Sequence, residues 1–225
     1  MKPIIILLAC LIFIFFTGFV VLSFINYKKR FNVKYNPLNM FPYELNFEAS
    51  FKDNFLGNLF LFFTSLISIT FYVLIVKLSS GGFIIILAVA GILSSVLLAV
   101  VPLLHLKYLK THIAVDIFFF IGVLISIISN ALICLNYYQT WLDSNNNPSF
   151  VLMIVYFVFG AIFLLILFNP KMSIWAKLEQ VTNSDGTSYY KRPRFFPLAY
   201  TEWLGYVFYL LSITITLTTY LVGIY

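Results

Sequence analysis

His105, His112 and Asp116 are the ionisable side chains set most deeply among apolar residues in this chain. In a helix, residues four apart lie one above the other on the same face, so the Asp116 carboxylate can orient the His112 imidazole. If His105 folds over from the preceding segment, two imidazoles and one carboxylate could hold a metal ion or pass a proton. The same spacing also fits a satisfied polar pair near a membrane surface with a solvated histidine beside it. No catalytic set is therefore assigned. His112 and Asp116 are candidates for acid–base work, and His105, His112 and Asp116 are candidates for a metal.

Other chemistry is poorly represented. The chain has no G-x-S-x-G nucleophile motif, no phosphate-cradling glycine-rich motif and no C-x-x-C pair. Both histidines border one connection, whereas a membrane haem needs axial imidazoles on facing helices. No cofactor is expected, and Cys10 and Cys134 both fall inside apolar segments, so no disulfide framework exists. Two basic clusters remain: Lys28-Lys29-Arg30, and Lys191-Arg192-Pro193-Arg194-Phe195-Phe196, where cations alternate with aromatics. Lys28, Lys29, Arg30, Lys191, Arg192 and Arg194 could hold anionic lipid head groups, each contributing about 1 kcal/mol near a negative leaflet. Flanking charge that only sets topology reads the same way.

The elements that must position these groups follow from composition. Of 225 residues, 62% are apolar and 10% charged, and the mean hydropathy is +0.99, against about 45–50% and 25% in a soluble domain. A soluble globule and a disordered chain are both excluded, which leaves an integral membrane protein. No Asp, Glu, Lys or Arg interrupts Pro3–Tyr27, Asn54–Val76, Leu78–Leu106, Ile117–Leu142, Ser144–Pro170 or Trp203–Tyr225. Each gap exceeds the roughly 20 residues needed to cross about 30 Å of hydrocarbon. The spacing predicts an all-α polytopic membrane protein, one six-transmembrane-helix domain over 1–225, with helices near 3–26, 55–76, 82–104, 113–137, 149–168 and 203–223. The runs are apolar on every side, unlike the alternating strands of a membrane barrel. The first run is too long for the core of a signal peptide and is read as a retained helix.

Of the 14 basic residues, twelve fall in loops 1, 3 and 5, and two, Lys2 and Lys77, on the other side. This bias places loops 1, 3 and 5 in the cytoplasm and both termini outside. The net charge of +6 thus speaks to orientation and anionic lipid, and nucleic acid is not expected as a partner. In loop 5, Asp185-Gly186 between Val181–Ser184 and Thr187–Tyr190 predicts a small β-hairpin with a two-residue turn. Glu202-Trp203 reads as the mouth of the last helix, Trp favouring the head-group level and Glu the helix N-terminus. Gly91, Ser95 and Ala99 form a small-xxx-small face on the third helix. Asn58, Ser65 and Ser68 on the second helix, and Ser126, Ser129 and Asn130 on the fourth, could bond across helices or line a polar cavity. The Ser212, Thr214, Thr216, Thr218 alternation spreads around the last helix rather than forming one polar face.

Two stretches carry a resemblance. Gly91-Ile92-Leu93-Ser94-Ser95, Val101-Pro102, and His112 with Ala114 and Phe118 through Gly122 resemble the middle of the DRAM (damage-regulated autophagy modulator) and Sfk-type six-span membrane proteins and related bacterial proteins. Thr201-Glu202-Trp203 is similar to the opening of their final helix. The resemblance covers about a quarter of the chain and implies a role in lipid handling or trafficking, without a defined reaction. Taken together, the sequence predicts a non-enzymatic membrane protein whose basic-aromatic cytoplasmic loops bind membrane lipid, anionic lipid above all, or a partner membrane protein. A small transporter or channel, and a membrane-embedded lipid enzyme using His112 and Asp116, are the alternatives.

Overall fold

The computed structural model describes residues 1–46, 52–79, 81–104, 109–140, 148–168, 177–183 and 187–225. Six helices are long and apolar enough to cross a membrane: α1 (Lys2–Phe31), α2 (Phe55–Leu78), α3 (Gly82–Val100), α4 (Leu109–Thr140), α5 (Pro148–Leu167) and α6 (Pro197–Val222). A 3-10 turn, Val101–Leu103, continues α3 at Pro102. The protein is an all-α six-span bundle with one small antiparallel sheet.

Helix ends explain where the spans differ from the charge-free runs. α1 continues through Lys28, Lys29 and Arg30, whose charges favour the negative end of the helix dipole, and stops at Asn32 in the left-handed region (φ 53°). α6 begins at Pro197, a residue suited to the first turn because its missing N–H is not needed there. It therefore starts six residues before the predicted Trp203, and it ends at Gly223 with φ 83°, a conformation glycine adopts without strain.

α6 is the central helix. Tyr206 meets Phe16 of α1 edge-on at 6.0 Å, and Phe208 stacks on Phe163 of α5 at 4.4 Å. Ser212 Oγ lies 3.5 Å from the Tyr72 hydroxyl of α2, and the Tyr209 hydroxyl lies 2.9 Å from Ser95 Oγ of α3. Asn130 of α4 donates to Thr216 at 3.0 Å. The five outer helices turn large apolar side chains such as Ile14, Phe62, Ile85, Phe118 and Leu165 outward, the arrangement lipid demands.

The polar residues of α2 to α4 serve this packing. Ser65 donates to the Ser95 carbonyl at 2.6 Å, and Ser126 and Ser94 bond back to Gly122 and Ala90. Gly91 and Ser95 on the expected small face lie against α2 and α6. A Cβ on Gly91 would sit 2.3 Å from the Tyr72 ring.

Outside the bundle, β1 (Glu179–Thr182) pairs antiparallel with β2 (Ser188–Lys191), Thr182 opposite Ser188. The Asn183 N–H donates to the Thr187 carbonyl at 2.8 Å, so the antiparallel pairing runs one residue past each strand. Asp185-Gly186 itself lies outside the described residues. Loop 1 folds back over the bundle end as a lid, with a 3-10 helix at Pro42–Asn46. Tyr35 donates to the Phe41 carbonyl at 2.7 Å, Trp203 Nε1 to the Met40 carbonyl at 3.0 Å, and Asn46 to the Pro102 carbonyl at 2.9 Å.

Candidate functional site

His112 and Asp116 stand in the first two turns of α4, where the (i, i+4) spacing stacks them, and the early start of α6 brings Glu202 into its second turn facing them. His112 Nε2 lies 3.1 Å from Asp116 Oδ2 and 3.8 Å from Glu202 Oε1. His112 is 3% exposed, while the Asp116 and Glu202 side chains are 11% and 12% exposed. One potential ligand atom from each residue lies within 4.8 Å of the other two. Such a group can hold a cation or exchange protons.

The lid closes the group from the loop side. The Tyr43 ring meets the His112 imidazole edge-on, centroids 4.9 Å apart, and Tyr43 itself packs with Phe41, Phe196 and Ala199 in a small apolar core. An ion pair fastens the lid to loop 5: Arg192 Nη1 donates to both Glu44 oxygens at 2.8 and 2.7 Å. The guanidinium also lies over the rings of Phe41 and Phe196, at 5.2 and 5.8 Å. Burial opposes the charge on Arg192, but the hydrogen bond and charge of Glu44 outweigh it and hold its pKa above the ordinary value. Burial, then the Glu44 charge, pushes the Tyr43 phenol up to about 12, so that side chain stays neutral.

Of the residues singled out from sequence, His112 and Asp116 therefore converge, while His105 lies outside the described residues. Lys28 and Lys29 are exposed near the end of α1, and Lys191, the last residue of β2, and Arg194 just beyond it are exposed. Arg30 and Arg192 are turned inward: Arg30 donates to the Leu45 carbonyl and Arg192 holds Glu44. Sequence reasoning left out Glu202, Tyr43 and Tyr206 as members of this neighbourhood. For Tyr206 and Glu202 a signal existed, since Glu202, Tyr206, Tyr209, Ser212, Thr216 and Thr219 recur at helical spacing along one face of α6.

Six spans with a lidded ionisable group at one membrane edge define an integral, multi-pass membrane protein. Comparison of the chain with protein-family models, with curated proteins and with solved structures finds no match.

Proposed function

We propose that this is a lipid-binding membrane protein whose working face is the one where loops 1, 3 and 5 meet, and that this face is cytoplasmic. One observation carries the reading. Of the three cations in the Lys191–Arg194 run, Arg192 is consumed by the lid, while Lys191 and Arg194 point outward beside Tyr190 and Phe195, which are 69% and 50% exposed. Outward cations flanked by outward aromatics suit the head-group region, where the ring enters the interface and the cation meets lipid phosphate. Lys28 and Lys29 extend the same rim, and the resemblance to lipid-handling six-span proteins agrees with it. The test is electron spin resonance of spin-labelled lipids around the reconstituted protein. Wild type should prefer phosphatidylserine over phosphatidylcholine, and the Lys28→Gln, Lys29→Gln, Lys191→Gln, Arg194→Gln variant should lose the preference. Equal preference in both proteins would refute the reading.

A second reading has its own observation. Convergence of His112, Asp116 and Glu202 in one buried group supports acid–base chemistry on a lipid held at this face. Proteoliposomes of mixed lipids, followed by mass spectrometry, should show a product that His112→Ala abolishes; no product difference would remove this reading and leave the first intact. The transporter alternative has less support, because Ser65, Ser126 and Asn130 all spend their polar groups on hydrogen bonds within the bundle.

A further inference from the structure

Two carboxylates facing one imidazole, in a place from which bulk water is largely excluded, call for a further cation. An uncompensated buried charge is costly, and native proteins normally pair it or use it to coordinate metal. The hydrogen bonding shows the same deficit. Among the described residues His112 Nδ1 is buried without a hydrogen-bond partner, and Nε2 meets only the carboxylates of Asp116 and Glu202. Glu202 Oε2 and the Tyr206 hydroxyl are likewise buried without a hydrogen-bond partner among the described residues. Tyr206 is 1% exposed, stands one turn from Glu202 on α6, and lies in the field of both Asp116 and Glu202. Three unpartnered polar atoms, His112 Nδ1, Glu202 Oε2 and the Tyr206 hydroxyl, on neighbouring residues are uncommon, since buried polar groups are paired in the great majority of cases. Deeper in the bundle Tyr209, Ser95, Thr216 and Asn130 are all bonded.

We propose that His112, Asp116 and Glu202 ligate a divalent first-row metal ion of the zinc class, with one coordination position left for water or a ligand group and the Tyr206 hydroxyl beside it. Zinc–nitrogen and zinc–oxygen bonds of about 2.0–2.2 Å set tetrahedral ligand atoms roughly 3.3–3.5 Å apart. The Nε2 distances of 3.1 and 3.8 Å already bracket that value, and the widest separation in the group is no more than 4.8 Å. Small rotations of two carboxylates close the remainder. The charges also close, because a divalent cation neutralises Asp116 and Glu202 while His112 binds as the neutral imidazole. An imidazole in the donor set favours zinc over calcium or magnesium, which take oxygen. Three protein ligands with an open position is the arrangement of zinc sites that act on a substrate, so this inference deepens the second reading above and rests on the same group.

The test is metal binding by the full chain, purified in detergent, stripped with EDTA and titrated with zinc chloride against a chromophoric chelator. Wild type should take up one zinc per chain, and cobalt(II) should give the visible bands of a four-coordinate site. His112→Ala and Glu202→Gln should each weaken binding at least 100-fold. His112→Cys should retain binding, because thiolate is a zinc ligand, and should add a thiolate-to-cobalt charge-transfer band that a merely structural role for position 112 would not produce. A monodisperse wild-type protein that takes up no stoichiometric zinc, or alanine and glutamine variants that bind as tightly as wild type, would overturn the proposal. Variants that fail to fold leave it judged on wild-type stoichiometry and the cobalt spectrum. No lipid enters the assay, so zinc bound without lipid turnover would retain this site and remove only the enzymatic reading.

Discussion

Replacing Arg192 by methionine should release the lid over His112 while leaving the membrane helices in place. The ion pair joins side chains that are 33% and 18% exposed, with contacts of 2.7 and 2.8 Å. It therefore lies between the ~0–1 kcal/mol of a surface pair and the ~3–5 kcal/mol lost when a buried pair is broken. About 2 kcal/mol is the expected loss, which corresponds to roughly 30-fold more frequent local opening. Methionine keeps much of the apolar stem over Phe41 and Phe196, so the change isolates the charge. Hydrogen–deuterium exchange read peptide by peptide is the assay: amides over Phe41–Asn46 should exchange about 30-fold faster, and those of α2 to α5 should not change. Glu44→Gln, which retains an acceptor for the Phe41 N–H bonded at 2.6 Å, should reproduce most of the effect. The double variant should add little, giving a coupling of at least about 1 kcal/mol. Exchange within twofold of wild type over Phe41–Asn46, or acceleration spread equally through the helices, would refute the clamp.

Three further outcomes follow from the packing and the topology. Gly91→Ala and Gly205→Ala place a Cβ 2.3 Å from the Tyr72 ring and 2.0 Å from the Phe120 ring; each should cost about 1–3 kcal/mol and lower the midpoint of thermal unfolding in detergent, whereas Gly82→Ala, with nothing within 4 Å, should not. Tyr209→Phe removes the 2.9 Å bond to Ser95, and Asn130→Ala removes bonds to Thr216 and Tyr225 of 3.0 and 2.6 Å. Each should cost about 0.6–1.7 kcal/mol in an unfolding measurement, the range found for interhelical bonds in membranes, and a loss well above that would mean these residues do more than join helices. With Cys10 and Cys134 replaced by serine, Asn147→Cys should react with a membrane-impermeant thiol reagent from outside and Asp185→Cys only after permeabilisation. Outside labelling at position 185 would reverse the proposed orientation.

The spans are legible in the sequence because charge is costly in hydrocarbon, and 22 charged residues in 225 leave gaps that only helices can fill. Ends are less legible, since a helix continues past the hydrocarbon wherever its backbone can. That is why α1 includes Lys28–Arg30, and why α6 begins at Pro197 rather than Trp203. The second displacement decides the site. Counted from Trp203, Glu202 is a residue at a helix mouth; counted from Pro197, it sits one and a half turns in, level with His112. The His112–Asp116 pair is readable from a spacing of four, a local relation. Its pairing with Glu202 joins positions 90 apart, which no local periodicity specifies.

The face of α6 that carries Glu202, Tyr206, Tyr209, Ser212, Thr216 and Thr219 separates two uses of polarity at membrane depth. From Tyr209 onward each member has a partner on another helix or one turn back: Ser95, Tyr72, Asn130, Tyr156 or a carbonyl of α6 itself. These bonds set the rotation of the central helix against its neighbours, since turning α6 by one residue would carry every hydroxyl away from its partner. The hydroxyls at 214 and 218, which lie off this face, bond only back to Leu210 and Thr214 of their own helix, as solitary threonines in lipid must. At Tyr206 and Glu202 the pattern stops: the same face presents a hydroxyl and a buried carboxylate oxygen with no partner among the described residues. Along this face of α6 the packing hydroxyls are saturated, whereas the two groups nearest His112 are open. The point at which the stripe changes from saturated to open coincides with His112, with the Tyr43 lid and with the Arg192–Glu44 clamp. That coincidence of features, more than any one distance, is what supports the proposal that this end of the bundle is the working end.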